Sequence, residues 1–158
     1  KGIQRSYKYE LLDLKPDKAM TDMECHFGLV RSDGTVKPSF TALKNLIRLL
    51  NDSDQEFSPH PLPLQITTAG NVAIQSTLLQ KSDGSWWLAL FRPVSVYDLK
   101  NKKRLTVPSV SVTVELEKNK NTYLYNPIIS DKPVMSFKKK REITFELGEE
   151  VLLLEIKK

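Results

Sequence analysis

The sequence predicts a mainly β protein: an antiparallel β-sandwich of about seven or eight short strands, preceded by a strand–loop–helix unit. From Gly70 onward, short runs rich in Val, Leu, Thr and aromatic residues alternate with turn residues. Before that, one amphipathic helical pattern stands out, entered through Lys37-Pro38. Between the two lies a stretch with Pro59, Pro61 and Pro63 and no sustained period. The expected division is a strand–helix unit over 1–51, a linker over 52–70 and a sandwich over 71–158.

Residues 5–14 read as a strand, with Tyr7, Tyr9 and Leu11 alternating with Lys8, Glu10 and Leu12. Residues 15–24 form a polar loop, and 27–30 a short extended piece. Ser32-Asp33-Gly34-Thr35 supplies hairpin turn chemistry. Pro38 suits a first helical position, where its missing N–H costs nothing. Phe40, Leu43, Leu46, Ile47 and Leu50 then recur at spacings of three and four and share a face. Asn51-Asp52-Ser53-Asp54 ends the helix. So wide an apolar face needs a packing partner larger than a loop. Alternate prolines in the linker favour an extended, stiff run.

In the second part, 71–80 reads as a strand and Lys81-Ser82-Asp83-Gly84 as a turn. Residues 85–92 form a strand apolar on both faces, Trp87, Ala89 and Phe91 on one and Trp86, Leu88 and Leu90 on the other. Such a strand is central and covered on both sides. Residues 108–117 alternate cleanly, with Val110, Val112, Val114 and Leu116 inward. Residues 118–121 read as a turn, 122–125 as a strand stopped by Asn126-Pro127, and 134–137, 142–147 and 151–156 as the remaining strands. Lys138, Lys139, Lys140 and Arg141 fall where a hairpin turn is expected.

Composition narrows the function classes. With 158 residues, 40% hydrophobic and 27% charged, the chain suits one globular domain with an appended element. No apolar run approaches the roughly 20 residues of a membrane-spanning helix, and the N-terminus has no apolar signal core. The net charge of +5 could mark a basic surface for nucleic acid or anionic membrane, but lysines spread over solvated strand faces are the expected source, with neither as a partner. Lysine in place of arginine argues against nucleic acid as a partner. The single cysteine, Cys25, leaves no internal disulfide and does not fix the compartment.

Asp22, Glu24, Cys25 and His26 are metal-type side chains, but they lack the paired spacing of zinc sites, so no metal is expected. Cys25 and His26, adjacent on an extended chain, point apart and form no nucleophile–base pair. The sequence has no P-loop, dinucleotide fingerprint or nucleophile elbow, and no cofactor is expected. Trp86 and Trp87 are candidate aromatic contacts for a sugar. Being adjacent in a strand they face opposite ways, and packing in the core or against the helix is the expected role of at least one.

The order strand, loop, hairpin, helix, with FGLVRSDGTVKPSFTAL inside it, resembles the last strand–helix unit of a glycoside hydrolase (β/α)-barrel of the retaining clan A type. LLQKSDGSWWLALFRP, SVSVTVEL, TYLYNP and ITFELGEEVLLLEI resemble the small β-sandwich that follows the barrel in several families of that clan. The resemblance covers nearly the whole chain. A barrel needs eight such units, and retaining hydrolysis needs two carboxylates about 5–5.5 Å apart. The clan carries them at the ends of its fourth and seventh strands, so the resemblance assigns no catalytic residue here and implies that this chain alone is inactive. It places Tyr9, Glu10, Asp13 and the 15–24 loop at an edge of the substrate cleft. The implied partner is the remainder of the barrel, in the same precursor or a second chain, and beyond it an oligo- or polysaccharide. A longer precursor would favour a secreted or extracytoplasmic location. The alternative is a stand-alone β-sandwich module binding a glycan or protein, marked by a row of exposed tryptophans or tyrosines on one sheet face.

Overall fold

The computed structural model describes residues 6–19, 21–53 and 56–158. Arg5, where the first expected strand begins, and Asp54, in the expected helix stop, lie outside the described residues. In chain order the elements are a 3-10 turn at Met23–His26, helix α1 (Pro38–Leu50), strand β1 (Leu64–Thr68), a 3-10 turn at Ala69–Asn71, and strands β2 (Gln75–Gln80) and β3 (Trp86–Phe91). The short pair β4 (Tyr97–Asp98) and β5 (Lys103–Arg104) follows, then the long β6 (Val110–Tyr125) and β7 (Pro133–Leu147), and finally β8 (Leu152–Ile156).

The fold is mainly β. All main strands join one antiparallel six-stranded sheet in the order β1-β6-β8-β3-β2, with β7 on the other side of β6. The first half of β6 lies between β1 and β7, and its second half between β8 and β7. Two different strands therefore share one flank of β6, and the sheet curls like half a barrel. The curl is built into the β6–β7 hairpin, whose register shifts between Glu115 and Lys120 and again between Lys120 and Thr122. Bulges of this kind bend a strand and increase its twist.

That hairpin corrects two sequence expectations. Residues 118–121 and 138–141 do not reverse the chain. They lie opposite one another inside continuous strands, and their irregularities bend the hairpin instead of ending it. Polar, lysine-rich residues suit a turn and a solvated bend equally well, so composition alone does not separate the two. A third correction concerns the linker. Residues 64–68, placed there because of the prolines, form β1 and pair with 112–116 of β6.

One face of the sheet holds the main core: Leu88 and Leu90 of β3, Val112, Val114 and Leu116 of β6, Ile143 and Phe145 of β7, and Leu152, Leu154 and Ile156 of β8. The opposite face carries a smaller cluster in which Leu49 of α1 packs with Trp87, Tyr125 and Leu153. β3 is therefore central and covered on both sides, and Trp87 is the tryptophan that meets the helix. α1 spans 38–50 with Pro38 at its start, and its carboxyl end is tied to the β2–β3 turn. There Asp52 accepts from the Ser82 amide and hydroxyl (2.8 and 2.6 Å), and Lys81 Nζ donates to Leu49 O (3.4 Å).

The stretch expected as the first strand does not form one among its described residues. It makes a single parallel bridge, Leu12 to Val30, and Val30 bridges on to Val36 across the turn at Gly34. A strand needs neighbours along its length, and among the described residues only the 27–30 piece is beside it, through Leu29 N and Val30 N donating to Leu11 O (3.0 and 2.9 Å) and Asp13 N donating to Val30 O (2.9 Å). Tyr7, Tyr9, Leu11, Leu12 and Leu14 are left exposed.

Candidate functional site

Of the three residues expected at a cleft edge, Tyr9 and Glu10 stand near the surface and Asp13 does not. Tyr9 is exposed and meets the Phe27 ring edge-on, with centroids 6.2 Å apart. Glu10 is half-buried. Its backbone is held by Phe27 O (3.4 Å), while its Oε1 is enclosed and has no hydrogen-bond partner among the described residues.

Asp13 is only 4% exposed, and one of its carboxylate oxygens carries two hydrogen bonds. Oδ1 accepts from Lys37 Nζ at 2.7 Å and from the Gly28 amide at 2.8 Å. Lys37 Nζ also donates to His26 O at 2.9 Å. The Lys37 hydrogen bond holds the Asp13 carboxyl below its ordinary value. Gly28 is required by closeness: a Cβ there would sit 2.4 Å from the Asp13 backbone nitrogen. Asp13 is thus a structural tie between the 10–13 stretch, the 26–28 loop and the entrance of α1, made through its Oδ1.

The acidic loop that follows is stitched by its own carboxylates. Asp17 accepts from the amides of Thr21 and Asp22 (2.8 and 2.7 Å), and its Oδ2 lies 3.2 Å from His26 Nε2. Asp22 accepts from the Glu24 amide (3.1 Å), capping the 3-10 turn, and from Cys25 Sγ (3.3 Å). Burial pushes the Cys25 thiol up, away from thiolate reactivity. Cys25 and His26 thus turn to different aspartates, and among the described residues no three metal-type side chains converge.

The two tryptophans occupy different surroundings. Trp87 is 4% exposed, donates from Nε1 to Ser85 Oγ (3.3 Å) and stacks at 5.3 Å on Tyr125, with Lys81 over its ring. Beside it the Tyr125 hydroxyl donates to buried Glu155 (2.9 Å), which also accepts from Lys157. Burial, and then the Glu155 carboxylate, push the Tyr125 hydroxyl pKa up. Trp87 is therefore part of the helix–sheet seam and unavailable to a sugar.

Trp86 is half-buried at the margin of the main core. Its Nε1 donates to His60 O (3.2 Å), and Lys120 Nζ stands 5.4 Å from its ring centroid. The two tryptophans do not form an exposed aromatic row.

The sequence reading did not find Lys37, Gly28 or Glu155 as members of these clusters. Lys37 and Asp13 are 24 positions apart, and no local period links them. The one signal available for Gly28 was a glycine inside an extended run. Neither the scan against protein-family models nor the search of curated proteins found a match.

Proposed function

We propose that this chain is the non-catalytic C-terminal region of a carbohydrate-active glycoside hydrolase. In this reading residues 6–50 are the last strand–helix unit of a barrel, the curled sheet is the flanking β-sandwich, and the catalytic carboxylates belong to barrel strands outside this chain. The observation that carries it is a helix with two apolar faces and one partner. Leu46, Leu49 and Leu50 lie in the seam with the sheet, while Leu43 (36%) and Ile47 (59%) on the adjoining arc stay exposed. A helix of the outer ring of a barrel, with a second domain on its flank, needs both faces. The exposed Tyr7, Tyr9, Leu11, Leu12 and Leu14, on a stretch whose backbone pairs on one side with 27–30 alone among the described residues, fit the same reading, because such an edge calls for a neighbouring strand.

The test compares this chain with a longer polypeptide that continues upstream in the same reading frame. Expected are no turnover of aryl glycosides by this chain and turnover by the longer one. In the longer polypeptide, Leu43→Asp with Ile47→Asp should lower thermal stability. Turnover by this chain alone would refute the reading, as would a longer polypeptide indifferent to the double substitution.

A further inference from the structure

We infer that the cleft beside Trp86, together with the lysines at the bend of the β6–β7 hairpin, binds an acidic, uronate-containing oligosaccharide. The inference does not depend on the barrel reading, because none of its residues belongs to 6–50.

A loop tied at His60 forms one side of the cleft. His60 N donates to Gln80 Oε1 at 2.6 Å, and His60 O accepts from Trp86 Nε1 at 3.2 Å, so the 57–61 run is fixed across the β2–β3 hairpin from both sides. The space beneath is about 490 Å³, within the roughly 300–1,000 Å³ usual for small-ligand sites. Phe57, Pro61 and Trp86 give it apolar walls, and Gln80, Ser82 and Lys158 give it polar ones. Rings flanked by hydroxyl and amide groups match a pyranose, which has an apolar face and a polar rim.

Charge selects the kind of sugar. Lys120 stands over Trp86 and is paired across the ladder with Lys140. Like charges directly opposite in an antiparallel pair destabilise it. Among the described residues, none of Lys118, Lys120, Lys138, Lys139 and Lys140 has a carboxylate partner, whereas neighbouring Arg141 is taken by Glu115. The bend keeps the cluster in place: Lys139 adopts φ 50°, and its amide donates to Asn121 Oδ1 at 3.0 Å. An aromatic wall flanked by Lys120 on one side and Lys158 in the lining suits a sugar that carries its own carboxylates.

Calorimetric titration with an oligogalacturonate, a neutral cello-oligosaccharide of equal length and poly-glutamate tests this. Expected is oligogalacturonate binding that falls with added salt and that Trp86→Leu and Lys140→Gln each weaken by about tenfold, roughly 1.4 kcal/mol. Lys140→Gln removes a like-charge pair, so it should leave the melting temperature unchanged or raised, separating lost binding from lost folding. If Trp86→Leu fails to fold, Lys140→Gln decides alone. No binding at millimolar oligogalacturonate overturns the inference. So does equal affinity for the neutral sugar, or for poly-glutamate with Trp86→Leu having no effect.

Discussion

Asp13 shows how one side chain decides the shape of a segment. A carboxylate accepting from a lysine ammonium and a backbone amide is a charge-assisted tie, and it fastens the 10–13 stretch to α1 through Lys37. Because the folded carboxyl titrates below its ordinary 3.8, its contribution is complete above about pH 4 and is lost as pH falls through the lowered value. In an NMR titration from pH 6 to 2, the Gly28 amide should therefore shift with a midpoint below 3.8, while sheet resonances stay in place. A midpoint above that value would mean the tie to Lys37 is absent in solution. Asp13 read as polar and surface-lining in the sequence, since nothing local marks a carboxylate whose partner lies 24 residues away.

At the scale of elements, α1 was the most legible and still held a surprise. Pro38 and the apolar spacing set its span, but the period gives a stripe without saying which part of it meets the sheet. The structure buries Asn45 and Leu49, neither of which belongs to the expected face, because Asn45 donates to Pro127 O (2.8 Å) and Leu49 enters the Trp87 seam. Leu43 and Ile47, expected inside, are outside. Leu49→Ala should therefore cost about 2 kcal/mol in urea unfolding, as apolar truncation at a packed seam does. In this chain Leu43→Ser and Ile47→Ser should each change stability by less than about 0.5 kcal/mol. Equal losses at Leu49 and Ile47 would show that α1 docks by its other face.

Across the whole molecule, order is unevenly distributed. The sheet buries side chains on both faces of β3, β6 and β8, while the described residues before α1 bury little beyond Asp13, Cys25 and Leu29. Local opening follows such differences. Amide exchange should be slowest in β3, β8 and the second half of β6, and much faster over 7–36. Slow exchange at Leu11 and Leu12 in the isolated chain would contradict that gradient.

The mainly β class, the extent of α1, the doubly covered β3 and the inward row Val112, Val114 and Leu116 are all legible in the residue order. Each of these is written in a period of two or 3.6 residues that any short window contains. The bend at 118–121 and 138–141 in one long hairpin, the pairing of 64–68 with β6, and the placing of Trp87 in the seam and Trp86 beside a cleft emerge only once the chain is folded. Those outcomes depend on which distant segments lie side by side, and that choice minimises exposed apolar surface over the whole chain rather than within any window of it.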